Sequence, residues 1–212
     1  MVSKFGRKFV DVSKLFDHAA HNGSNYLNGH CFVSLMLCVP VWNHKKVVYL
    51  AVPLGCRMWQ KSESKLELVT SMVHQVMAEF HEKKNVIILY NRWYVKKNLV
   101  YIVEEYQNLD LIGNVRLDSV IYDLAPERTG RRGKPAKHGR RLSIETDFVL
   151  SAEKIGDYYT GAHRVLTNIF GFRQVMAYVT TVEKDTGSRR LFFSTVFPEQ
   201  LQIFCAWQKN PP

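Results

Sequence analysis

The chain has 212 residues, 46% of them hydrophobic, which is room for one large domain, or a domain with a sizeable insertion, around a buried core. Disorder along the whole length is thereby excluded. Lys and Arg total 29 against 19 Asp and Glu, a net charge of +10 with a pI near 9.5, which favours a polyanionic partner without naming one. The four cysteines, Cys31, Cys38, Cys56 and Cys205, form no C-x-x-C pair, so a reducing cytoplasm is expected. The longest apolar run, Cys31 to Val41, is broken by Ser34 and Pro40 and falls short of the roughly 20 residues that span a bilayer. No transmembrane helix, membrane partner or secretory signal is expected.

Residues 29 to 41 and 46 to 54 are rich in β-branched and apolar side chains on either side of Trp42-Asn43-His44-Lys45, the pattern of an antiparallel hairpin. Ser64 with Glu67 three residues on is a capping-box signature. Leu66, Val69, Met72, Val73, Val76, Met77 and Phe80 then recur at helical spacing, predicting an amphipathic helix of about five turns. Val86-Ile87-Ile88-Leu89 is continuous and apolar, as in a parallel strand buried on both faces. A second helix is predicted over Val95 to Tyr106, with Val95, Leu99, Ile102, Val103 and Tyr106 on one stripe. Leu109 to Val115 supplies a further buried strand. From Asp118 onward helical periodicity disappears, and Val175 to Val182 and Arg190 to Val196 flank the hairpin loop Lys184-Asp185-Thr186-Gly187. The expected division is an α/β region over 1–117, a β-rich insertion over 118–197, and a short helix from Pro198 with Leu201, Phe204 and Trp207 as its apolar face.

The charge is local. Between Arg128 and Arg141 the sequence RTGRRGKPAKHGRR carries seven basic residues and no acid: Arg128, Arg131, Arg132, Lys134, Lys137, Arg140 and Arg141. Its core, Arg132-Gly133-Lys134-Pro135, resembles the Arg-Gly-Arg-Pro centre of AT-hook peptides, whose extended backbone admits arginines to the narrow minor groove of A·T-rich DNA. The alternative is a solvated basic loop with no partner.

In open α/β sheets the working residues collect beyond the carboxyl ends of strands. Here that position reads Tyr90-Asn91-Arg92-Trp93-Tyr94. A carboxylate there would suit a two-metal site. Asn91 offers a carbonyl oxygen and no charge, and suits a helix N-cap or turn equally well.

The strings LFDHAAHNGSNYLNGHCFVSL, PLGCRMWQKSESKLEL, NVIILYNRWYVKKNL, YDLAPERTGRRGKPAKHGRRL and RLFFSTVFPEQLQIFCAWQ, with KFG near the start, resemble bacterial insertion-sequence transposases of the DDE type over essentially the whole chain. The resemblance implies a ribonuclease H-like mixed sheet with flanking helices and an all-β insertion, here partial at both ends. It also implies Mg²⁺ or Mn²⁺ on three carboxylates in an intact relative. The first Asp would precede Met1, the second falls at Asn91, and the Glu-bearing helix would follow Pro212. A catalytically inactive transposase fragment is therefore expected, with DNA as partner (terminal repeats and target DNA in an intact relative). The alternatives are a residual DNA-binding regulator that pairs with an intact transposase, or a pseudogene product without function. The expected location is the bacterial cytoplasm, on the nucleoid when DNA-bound.

Two other clusters carry residue types that can ligate metals. Asp17, His18, His21 and His30 offer ligand types, against a structured loop marked by Asn22, Gly23, Ser24 and Asn25. Glu104 and Glu105 are adjacent on a helix, point to different faces, and suit a solvated surface better than one ion.

Overall fold

The computed structural model describes residues 10–16, 25–43, 46–80, 84–127, 134–184 and 187–196. The chain divides into two units, Met1–His81 and Glu82–Pro212.

In the first unit, β1 (Ser13–Phe16) and β2 (Tyr26–Gly29) form a short antiparallel ladder with Leu15 opposite Leu27. The Phe16 ring meets Tyr26 edge-on at 5.5 Å. Sequence pattern reads this region as a loop, because four-residue strands are too short to display alternation. The predicted hairpin follows as β3 (Phe32–Asn43) and β4 (Lys46–Met58). Their register shifts between Leu35 and Met36, where Leu35 faces Gly55 and Met36 faces Pro53. The bulge sits beside Pro53, which has no N–H to give to the ladder.

The first helix, α1 (Lys65–Glu79), begins as its capping box predicts. Ser64 Oγ accepts from Leu66 N at 3.2 Å, and Ser64 N donates to Glu67 Oε2 at 2.9 Å. It ends one residue before Phe80, whose extended backbone stops the helical run. The buried stripe is Leu68, Met72, Val73 and Met77, rotated slightly from the predicted one so that Leu68 replaces Leu66. Leu68 and Met72 pack on Val33 with Trp59, Leu35 and Val69 around them. This covers one end of the β3–β4 ribbon. Toward its turn the ribbon exposes Val39, Val41, Trp42, Val47, Val48, Tyr49 and Leu50.

The second unit is built on a seven-stranded mixed sheet. β5 (Val86–Tyr90) leads through a 3₁₀ turn at Arg92–Tyr94 to α2 (Lys97–Glu105) and then β6 (Leu109–Val115), parallel to β5. Then come β7 (Ile121–Tyr122), β8 (Arg141–Leu142), β9 (Tyr159–Thr167), β10 (Arg173–Thr181) and β11 (Arg190–Ser194). The strand order is β5-β6-β11-β10-β9-β7-β8, with every pair except β5–β6 antiparallel. The fold is mixed α/β, mostly strand.

Strands from both sides of residue 117 share one sheet: β11 lies between β6 and β10, with Leu191 opposite Val115. One expectation is corrected here: β5 is not buried on both faces. Val86 to Leu89 are half-buried and Tyr90 is buried, and among the described residues β5 pairs only with β6. The core of the unit includes Ile112, Tyr178 and Phe192, all at most 1% exposed, with Ile87 and Leu89 at its margin. Leu99 and Ile102 of α2 are buried as predicted. The predicted helix from Pro198 lies outside the described residues.

Candidate functional site

The carboxyl end of β5 is shaped by a packing requirement. Tyr90 stands opposite Gly113 in the β5–β6 register, and a Cβ at Gly113 would fall within the Tyr90 ring. Only glycine admits the ring, which is then 6% exposed. Burial holds the Tyr90 phenol well above the usual tyrosine range. The residue that follows is Asn91, the N-cap of the 3₁₀ turn: its Oδ1 accepts from Trp93 N at 3.1 Å, and its carbonyl accepts from Tyr94 N at 3.1 Å.

Beyond β6, Arg116 grips Asp118 with two bonds, Nε to Oδ1 at 2.9 Å and one terminal nitrogen to Oδ2 at 2.6 Å. The hydrogen bond from Arg116 holds the Asp118 carboxyl below the usual carboxylate range, with a further contribution from Arg92. The position expected for a metal carboxylate therefore holds a neutral side chain engaged in capping, and the acid beyond the neighbouring strand is engaged by arginine. This donor set does not fit a two-metal centre. Among the described residues no three His, Cys, Asp or Glu side chains lie together to hold an ion. His30 Nε2 donates to the Val10 carbonyl at 2.9 Å, whereas Asp17, His18 and His21 lie outside the described residues. Glu104 is not simply solvated, since it forms an ion pair with Arg173.

The basic segment enters from β7 and leaves through β8, at one edge of the sheet. Arg128, Arg131 and Arg132 lie outside the described residues. Lys134, Lys137, Arg140 and Arg141 are exposed. The exit of the loop is held by its backbone: Asp123 N donates to the Arg140 carbonyl at 2.8 Å and Gly139 N to the Asp123 carbonyl at 2.9 Å. A Cβ at Gly139 would lie 2.6 Å from the Leu124 carbonyl oxygen, so glycine is required for this approach.

Arg140 is not a spare cation. It donates to Asp147 Oδ1 at 2.7 Å, while Ser143 N donates to Asp147 Oδ2 at 2.7 Å. The hydrogen bond from Arg140, then the one from Ser143, holds the Asp147 carboxyl below its ordinary range.

Three rings that sequence spacing does not connect meet beside this loop. His138 stacks on Tyr122 with centroids 3.9 Å apart, and Phe172 lies 5.4 Å from His138 with the two ring planes 7° apart. Tyr122 and Phe172 are 6.1 Å apart. His138 Nδ1 faces the Gly139 carbonyl at 2.9 Å and so carries the proton and donates. Phe172 follows Gly171 in the β9–β10 connection with φ 60°, and is 40% exposed. A left-handed backbone at a bulky residue costs about 1–2 kcal/mol, so the fold holds this ring in place at a local disadvantage. The available signal in the sequence was an aromatic residue after glycine in a hairpin connection.

A depression of about 160 Å³ lined by Arg164, Gln174, Met176, Ser194 and Thr195 also opens on this sheet. It is smaller than the roughly 300 Å³ at which small-molecule sites begin. No helix among the described residues is long and apolar enough to cross a membrane. Compared with known proteins, the chain matches no protein-family model and no curated protein.

Proposed function

We propose that this chain is a DNA-binding, catalytically inactive member of the DDE insertion-sequence transposases, with a ribonuclease H-like arrangement around β5, α2 and β6. The reading is carried by the segment from Arg128 to Arg141, seven basic residues with no acid, whose described part is exposed at the β7–β8 edge. A segment with this density of basic residues neutralises phosphates and releases counterions. Inactivity in strand cleavage rests on Asn91, whose side-chain oxygen is occupied by Trp93 N.

The salt dependence of a DNA mobility shift tests the binding half. Counting the six basic residues of the segment other than Arg140, which pairs with Asp147, the slope of log K against log salt should be roughly −5. Neutralising the segment should abolish the slope; an unchanged slope would reject this loop as the contact. Nicking of supercoiled plasmid with Mg²⁺ or Mn²⁺ tests the other half. Neither the natural chain nor Asn91→Asp should nick, and nicking that disappears on mutating a residue inside the chain would refute inactivity.

A further inference from the structure

The geometry points to a nucleobase-stacking site at the Tyr122–His138–Phe172 cluster, which takes an unpaired base of DNA while the basic loop holds the adjoining phosphates. This deepens the proposed function and rests on its reading of the loop as a DNA contact.

Four observations converge on the cluster. The rings belong to three separate segments, yet His138 and Phe172 are within 7° of parallel, and Tyr122 and His138 are only half-buried. Phe172 keeps 40% of its surface exposed while accepting a left-handed backbone. A purely structural ring would be expected to bury more and to avoid that conformation. The cations are adjacent: His138 follows Lys137 directly, and Arg141 stands opposite Tyr122 in the β7–β8 register, so both side chains leave the same face of the sheet. Finally, Leu166 of β9 pairs with Tyr122 and Gln174 of β10 pairs with Leu166, which carries this face toward the depression at Arg164 and Gln174.

Aromatic rings beside a basic groove form the general platform for unpaired nucleic acid, because every base has a π-face. Within a fully paired duplex the bases are stacked on one another, and the cluster then has no ligand. The preferred substrate is DNA with an unpaired stretch next to a duplex, the duplex phosphates meeting Lys134, Lys137 and Arg141.

The test compares a blunt duplex with the same duplex carrying a short single-stranded overhang that contains 2-aminopurine. The full chain should bind the overhang DNA at least about fivefold more tightly, the lower end of what one base–aromatic stack supplies, and should quench the 2-aminopurine fluorescence. Phe172→Gly accepts the positive φ without strain and so tests the ring without endangering the fold; it should lose both the preference and the quench. Phe172→Trp should retain them. Equal binding of the two DNAs by the natural chain, or an undiminished preference in Phe172→Gly, would overturn the stacking site while leaving the loop as a DNA contact. Failure to bind either DNA would overturn both.

Discussion

The ring of Tyr90 occupies the space that any side chain at Gly113 would need, and this pairing across β5 and β6 sets where the first strand of the sheet delivers Asn91. Gly113→Ala must push the ring aside. The expected cost is about 1–3 kcal/mol, typical of overpacking, measured by urea unfolding. The cost should shrink in a Tyr90→Ala background, since the obstacle is then gone. Equal costs in both backgrounds would show that the ring is not what glycine makes room for.

Asn91 serves the 3₁₀ turn as a cap, so its replacements should sort by capping ability and not by charge. Asn91→Ala is expected to cost about 1 kcal/mol, and Asn91→Asp to match the natural chain. Thermal unfolding of the three proteins checks this. An aspartate variant as unstable as the alanine one would mean that the oxygen is not engaged with Trp93 N.

The capping box of α1 admits a parallel test in the other unit. Ser64→Ala removes the acceptor for Leu66 N and should destabilise by about 1 kcal/mol, whereas Ser64→Asp should restore stability. Helical circular dichroism followed on heating distinguishes them. Identical melts for Ala and Asp would indicate that the cap contributes nothing.

Asp147 makes the loop exit sensitive to acid. Its folded pKa is depressed by Arg140 and Ser143 N, so the folded state holds fewer protons than the unfolded state near the ordinary aspartate value of about 3.9. Its stabilisation is therefore present above that value and is lost as pH falls through the lower folded pKa. Melting temperatures measured from pH 6 down to pH 2 should fall less steeply for Asp147→Asn than for the natural chain. Parallel curves would remove Asp147 from the acid transition.

Much of the fold was legible where one residue pattern sufficed. Ser64 with Glu67 announced α1, and the apolar runs at Val86 and Leu109 announced β5 and β6, although the same pattern overstated the burial of β5. Pairing across distant segments was not legible. Nothing local to Arg190–Ser194 tells that it inserts between β6 and β10. The same holds for the rings: Tyr122, His138 and Phe172 come together only once β7, β8 and the β9–β10 connection are placed. The partner of Arg140 was not legible either, because its acid, Asp147, lies just past the segment in which no acid occurs. The ladder of β1 and β2 escaped because four residues cannot establish a period.

The bare end of the β3–β4 ribbon has a consequence for the chain's life in a cell. From Phe32 to Trp42 and from Val47 to Cys56 there is no charged residue, and Trp42 is 77% and Leu50 57% exposed. Uncharged ribbon whose outer edges are unpaired among the described residues is a template for intermolecular pairing. Folding is first order in chain concentration, whereas such pairing is second order. The soluble fraction is therefore expected to fall as synthesis is driven faster, and a single gatekeeping charge, Leu50→Lys, should recover it. A soluble fraction independent of expression level would show that the ribbon is masked. Where the soluble fraction does fall with expression level, abundance itself acts as a limiter, keeping the working concentration of this protein low without any dedicated repressor.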